Sequence, residues 1–250
     1  MHLPLRIAVV AAALIPSLTL TALADQRYGV MGEDTYRIGR VLGETHIAYR
    51  GVENLGIAPD SQGRRYVANV VYTRIDESGK ASVHAKFVQE LLRDGTFEDS
   101  DDEDPDFLTI LNQPFAVQLD VATLHDLEDM HGTVPFAAAS PLGGSRLQGY
   151  LRSAPPGKVS GRMVVGVRFE ADGPMTGTLP QHPDALLSGT MHMDGTAYYA
   201  ARGALLLALD ATLTINGKLE SGKDSVPVRI TYHRVIRAQD EELHQKVPTS

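Results

Sequence analysis

Alternation of apolar with other residues at a period of two constrains this chain more than any other feature. Val165, Val167 and Phe169 occupy successive odd positions in one stretch, and the same period recurs at 83–87 and 226–232. Neighbouring residues of a strand point to opposite faces of a sheet, so this period predicts strands with one buried face.

Short segments rich in glycine, proline, asparagine and aspartate separate these stretches, and such residues favour tight turns. They lie at 76–80, 153–158, 171–174, 200–203, 216–217 and 221–224. The spacing predicts a single mainly β domain over residues 35–238, a meander of roughly ten antiparallel strands. We expect the meander to curl into a barrel or half-barrel, with a two-sheet β-sandwich as the alternative.

One segment has helical periodicity instead. Val121, Leu124 and Leu127 lie at helical spacing, with Asp120 before them as a candidate N-cap. A short helix over about residues 121–131 is therefore predicted, packed over one end or face of the sheet. A curved antiparallel sheet with a helix over its mouth resembles the exported half-barrel lipid carriers of the LolA type. That resemblance is one of architecture and implies no function by itself.

Residues 203–217 form the most apolar stretch beyond the first two dozen residues. About twelve residues separate Gly203 from the Asn216-Gly217 pair, whereas a helix that spans a membrane needs about 20. Leucine, alanine and isoleucine fall on every second position from 205 to 215. This stretch is therefore predicted to be a long strand that ends in a hairpin turn at Asn216 and Gly217.

The first residues have the pattern of a secretory signal peptide. Arg6 precedes an apolar run, and small residues end at Ala24, so we expect cleavage there and a signal peptide at 1–24. Residues 25–34 are expected to be a flexible lead-in and 239–250 a flexible polar tail. The chain has no cysteine. Because small secreted animal domains often depend on disulfides, a periplasmic or secreted bacterial protein is the prediction, with no membrane span after cleavage.

Charge narrows the range of partners. The chain has 31 acidic against 23 basic side chains, a net charge of −8. We expect no nucleic-acid partner, because no basic patch is present. Acidic residues are concentrated at 97–106, which is interpreted as a solvated loop.

Sequence motifs for catalysis are absent. The chain has no Gly-x-Ser-x-Gly elbow, phosphate loop or dinucleotide fingerprint, so no catalytic residue is assigned and no cofactor is expected. His84, His192 and His233 fall on polar strand faces, where surface histidines are expected rather than a metal site. They would meet only across adjacent strands. Asp210 interrupts the most apolar stretch. We favour the interpretation that Asp210 lies on a solvent-exposed face of the strand over the alternative that it is a buried acid.

These observations favour an exported, non-catalytic protein that binds an apolar or amphipathic ligand, lipid-like in character, on the curved sheet. The candidate ligand-binding residues are Phe169, Met191, Met193, Tyr199 and Leu209, which lie on apolar faces of predicted strands. Two alternatives remain open. One is a cell-envelope hydrolase whose acids and histidines meet only on folding, and the other is a structural or protein-interaction module.

Overall fold

The structure of the protein is a computed structural model. It describes residues 24–39, 44–59, 63–92, 97–102, 106–108, 119, 124–127, 133–138, 147–159, 161–179, 182–201 and 205–239.

Eleven strands form one antiparallel sheet. In chain order they are β1 (Ala24–Ile38), β2 (Thr45–Pro59), β3 (Gly63–Asp76), β4 (Gly79–Leu92), β5 (Phe97–Asp102), β6 (Thr133–Ala138), β7 (Leu147–Val159), β8 (Arg162–Leu179), β9 (His182–Ala200), β10 (Leu206–Ser221) and β11 (Asp224–Gln239). The spatial order is β5-β4-β3-β2-β1-β11-β10-β9-β8-β7-β6.

Two meanders make up this sheet. Strands β1 to β5 follow one another in space, as do β6 to β11, and pairing of β1 with β11 joins the two sets. The sheet curls without closing, so β5 and β6 are its edges. The predicted mainly β meander of half-barrel type is confirmed. The alternative of a two-sheet sandwich is wrong, because all the described strands belong to one sheet.

The period-two pattern decides which side of each strand is buried. In β11, Val228, Ile230 and Ile236 are buried, whereas Arg229 and Arg237 are exposed. Most buried apolar side chains of the long strands belong to one core cluster. We call the side of the sheet that carries this cluster the inward face and the opposite side the outer face.

The hairpin turn predicted at 216–217 is wrong, because β10 continues through both residues. Asn216 pairs with Thr190 of β9, and Gly217 pairs with Gly189. A Cβ atom at Gly217 would lie 2.3 Å from the backbone oxygen of Ser188. The glycine is therefore explained by the close approach of two strands, which the sequence pattern does not distinguish from a turn.

Two other predicted turns also lie inside strands, 153–158 in β7 and 171–174 in β8. In β7 the prolines fall at a register shift between Ala154 and Gly157, where the ladder needs no donor. The turns predicted at 76–80 and 221–224 are confirmed.

Two predicted flexible segments are strands. Most of 25–34 belongs to the interior of β1, which pairs with β2 on one side and β11 on the other. In the acidic segment 97–106, the first six residues form β5, which pairs only with β4, and Asp106 is buried. The predicted signal peptide, except Ala24, and the predicted tail, except Gln239, lie outside the described residues.

The predicted helix at 121–131 is described only at 124–127, where the backbone is helical. Leu124 and Leu127 are buried there and belong to the core cluster, in agreement with the predicted packing against the sheet. In the part of the chain that the structure describes, no helix has the length and apolar character needed to cross a membrane.

Close contact between strands explains several inward-facing glycines. A Cβ atom at Gly149 of β7 would lie 1.9 Å from the backbone oxygen of Glu170, and one at Gly189 would lie 2.3 Å from that of Asn216. No side chain fits at such a distance, so these strands approach most closely where the side chain is absent.

Substitution of Gly149 tests this explanation. We expect Gly149→Ala to lower the free energy of unfolding by about 1–3 kcal/mol, because the added methyl group must push two strands apart. Gly157→Ala in the same strand is the control, since its Cβ atom would meet only Val164, at 3.9 Å. Urea denaturation of both variants measures the difference. Equal stability of the two variants would contradict the explanation.

Candidate functional site

The inward face contains a group of buried charges, which sequence reasoning missed. Asp34 of β1, Asp106 and Arg234 of β11 have 1%, 6% and 3% of their surface exposed. We call these three residues the buried charge cluster. Arg234 Nη1 donates to Asp34 Oδ1 at 2.5 Å, and Nη2 donates to the backbone oxygen of Asp106 at 2.8 Å. A single cation therefore holds both a strand and the segment that follows β5.

Tyrosine hydroxyls supply further donors to the two carboxylates. Tyr72 Oη donates to Asp106 Oδ2 at 2.6 Å. Tyr49 Oη lies between the carboxylates, 3.0 Å from Asp34 Oδ2 and 3.2 Å from Asp106 Oδ1. Its single proton can be donated to only one of them at a time. Most of the cluster's oxygen atoms thus have donors, as buried charges require.

Aromatic rings enclose the guanidinium. Its carbon lies 5.3 Å from the ring centre of Tyr49 and 5.5 Å from that of Tyr232, which is within range for a cation–π interaction. Gly32 of β1 lies beside Arg234 of β11. A Cβ atom at Gly32 would be 2.9 Å from Arg234 Nη1. The glycine therefore leaves room for the guanidinium to reach Asp34.

Burial shifts the pKa values in this cluster. It raises the pKa of Asp34 above its ordinary value, and the charge and hydrogen bond of Arg234 offset part of that shift. Burial lowers the pKa of Arg234, but Asp34, Tyr49 and Tyr232 together raise it by more, so the guanidinium stays protonated. Burial also raises the pKa of Tyr49 and Tyr232, which keeps both hydroxyls protonated as donors.

The cluster attaches the segment after β5 to the inside of the sheet. Phe107, which follows Asp106, has a positive φ of 52° and packs edge-on against Tyr232. Leu108 is fully buried and belongs to the core cluster. Because the charges are enclosed, their chemical role is to hold this segment in place rather than to act on a substrate.

The five predicted ligand-binding residues lie on the inward face of three neighbouring strands. Phe169 is in β8, three of the residues are in β9, and Leu209 is in β10. All five belong to the core cluster, with 4% or less of their surface exposed. The structure thus brings Phe169, Met191, Met193, Tyr199 and Leu209 onto one apolar side, where their present contacts are with the protein itself. Ligand binding by these residues stays a prediction.

Histidines on the outer face pair with acids rather than with one another. His233 Nε2 lies 2.9 Å from Asp210 Oδ1, and His192 Nδ1 lies 2.7 Å from Asp172 Oδ1. Asp210 is exposed, which agrees with the favoured interpretation that it lies on a solvent-exposed face of the strand. His84 is exposed as well.

A groove of about 560 Å³ lies on the outer face beside His233. Met31, Ile75 and Val235 contribute apolar surface to it, while Arg50 and Lys80 contribute charge. Its volume is within the range of small-molecule sites.

Comparison with known proteins finds no matching family model and no matching curated protein.

Replacement of Arg234 tests the energetic role of the buried charge cluster. We expect Arg234→Met to lower the free energy of unfolding by about 3–5 kcal/mol, because two buried carboxylates lose their cation. The double variant Arg234→Met/Asp34→Leu should recover part of this loss, since it removes one uncompensated carboxylate.

Arg237→Met is the matched control, because Arg237 is exposed on the same strand. It should change stability by no more than about 0.5 kcal/mol. Urea denaturation measures all three variants. A double variant that is less stable than Arg234→Met would contradict this account of the cluster.

Proposed function

We propose that this protein is an exported, non-catalytic binding protein that holds an apolar or amphipathic molecule, such as a lipid, inside the curled sheet. The single observation that carries the proposal is the nature of the inward face of β7 to β10. It is apolar throughout its buried part, and the core cluster to which it belongs also contains leucines of the connection between β5 and β6.

The composition of this face supports a hydrocarbon ligand. Its buried side chains are aliphatic, aromatic or methionine, and they include Leu151, Val167, Phe169, Met175, Leu187, Met191, Met193, Leu209 and Ile215. Methionine is unbranched and flexible, so three methionines on one wall can adapt to ligands of irregular shape. The buried charges of the inward face lie elsewhere, on β1, β2 and β11 and in the segment after β5.

The connection between β5 and β6 bears on how the proposed ligand is accommodated at the inward face. The chain between the edge strands β5 and β6 places Leu108, Leu124 and Leu127 in the core cluster. In the proposed function Leu124 and Leu127 occupy positions that the hydrocarbon part of a ligand takes when it is bound. The buried charge cluster at Asp106 keeps one end of the connection attached.

Export is the second part of the proposal and is supported by the N-terminal pattern and the absence of cysteine. Cleavage after Ala24 would leave a mature chain that begins with Asp25. Almost the whole of β1 would then remain available to join the two meanders.

Native mass spectrometry of the protein from the periplasmic fraction of its own cells tests both parts. We expect the mass of a chain that starts at Asp25, with a hydrophobic adduct that organic extraction removes. The extracted protein should then bind a fluorescent fatty acid at one molecule per chain. A full-length mass together with the absence of saturable binding would refute the proposal.

Two methionine variants locate the bound molecule. Met193→Ala should weaken fatty-acid binding about tenfold, because loss of a buried methionine contact is worth about 1.5 kcal/mol or more. Met163→Ala is the control, since that side chain is 59% exposed on β8. Circular dichroism checks that both variants are folded. Equal affinities would place the ligand elsewhere.

A hydrolase is the second candidate, and one observation favours it. Asp210 and His233 form a hydrogen-bonded pair whose histidine borders the outer groove, an arrangement that resembles the acid–histidine part of a hydrolytic site. Both side chains are well exposed, at 61% and 39%, so water weakens the effect of the aspartate on the histidine. The pair therefore ranks below the binding function.

Ester hydrolysis separates the two candidates. On p-nitrophenyl esters, we expect the same low rate for the wild-type protein and for His233→Gln, because the pair is a surface ion pair. A rate for wild type that is at least about a hundredfold higher than for His233→Gln, the usual contribution of a general base, would favour the hydrolase.

A further inference from the structure

Four side chains that can bind metal ions meet on the outer face of β8 and β9. They are Glu170 and Asp172 from β8 and His192 and Asp194 from β9. We propose that they form a binding site for a divalent transition-metal ion such as Zn²⁺. Glu170, Asp172 and His192 are the ligands, and Asp194 positions the histidine.

The strand register brings these side chains together. Glu170 pairs with Asp194, and Asp172 pairs with His192, so the four residues form two adjacent cross-strand pairs. One ligand atom from each of Glu170, Asp172 and His192 lies within 4.8 Å of the other two. Ligands about 2.0–2.2 Å from a common Zn²⁺ ion lie roughly 3–3.6 Å apart, so small side-chain rotations close the site.

Carboxylates lie near both nitrogens of the His192 ring, and one of them is hydrogen-bonded to it. Nδ1 lies 2.7 Å from Asp172 Oδ1, and Nε2 lies 3.6 Å from Asp194 Oδ1. In the structure Nδ1–H donates to Asp172, so a metal ion would replace that proton. Nε2–H would then face Asp194, and the lone pair of Nδ1 would face the ion. A carboxylate behind the ligating histidine is the arrangement that fixes its tautomer in many metal sites. In the proposed site Asp194 is therefore a positioning residue that acts on His192 through its charge.

The charges of the cluster call for a cation. Glu170 and Asp194 are directly opposite, and like charges at such positions destabilise a sheet. Among the described residues, no lysine or arginine forms an ion pair with Glu170, Asp172 or Asp194. A bound divalent ion supplies the missing positive charge. One nitrogen with two carboxylate ligands suits Zn²⁺ or Mn²⁺, whereas Ca²⁺ requires a shell of oxygen atoms.

The site is independent of the proposed lipid-binding function, because it faces away from the core. Its ligands are well exposed, with 70% of the Asp172 side chain and 40% of the His192 side chain accessible. Water therefore completes the coordination shell, and the geometry is that of an open site.

Isothermal titration of the untagged, EDTA-treated full chain with ZnCl₂ tests the proposal. We expect one Zn²⁺ ion per chain, with binding weakened at least tenfold in His192→Gln and unchanged in His84→Gln. His84 is an exposed histidine on β4 and serves as the matched control. The absence of cysteine means that no thiolate competes for the ion. Titration with CaCl₂ should give much weaker binding.

The visible spectrum of bound Co²⁺ tests the role of Asp194. Asp194→Asn should weaken binding about tenfold but keep the wild-type band positions, because the ligands are the same. His192→Gln should abolish or shift those bands. Zn²⁺ affinity that is equal in wild type and His192→Gln, or Ca²⁺ affinity equal to that of Zn²⁺, would overturn the proposal. Circular dichroism confirms that each variant is folded.

Discussion

A guanidinium group taken out of water needs anions around it, and in this protein that need determines how one half of the molecule is arranged. Arg234 reaches Asp34 across the β1–β11 pairing and reaches the backbone of Asp106 in a segment distant in sequence. The cost of removing three charges from water is offset only when all three are present. The cluster therefore defines a single position for the segment after β5, which apolar packing alone would specify less sharply.

The two halves of the inward face are stabilised by different kinds of interaction. Around Arg234, tyrosines combine apolar rings with hydroxyl donors, and each ring fills space while its oxygen serves a carboxylate. Across β7 to β10 the face is uniformly apolar, and its shape depends on methionine, leucine and the glycines that let strands approach. The first half fixes a connection in one place, and the second half offers the adaptable surface on which the proposed ligand binding rests.

Period two was sufficient to predict the fold class, the meander and the buried side of the longest strands. The pattern does not distinguish a glycine in a turn from a glycine in close contact with a neighbouring strand. For this reason the prediction of a turn at Gly217 was wrong. The buried charge cluster was not predictable either, because Arg234 and Asp34 are 200 residues apart. A signal for the cluster existed in retrospect: Arg234 continues the apolar alternation of Val228, Ile230 and Tyr232. The outer acids and His192 also alternate, but only the strand register shows that they are neighbours.

The pairing of β1 with β11 has a consequence for the time course of folding. Arg27 pairs with Gln239, so the central seam of the sheet is made from the two ends of the described chain. Each meander can begin from local hairpins, but the seam must wait until the last strand is available. The sheet of such a chain stays incomplete until β11 has been made. That delay suits a protein that, in the proposed function, crosses a membrane before it folds.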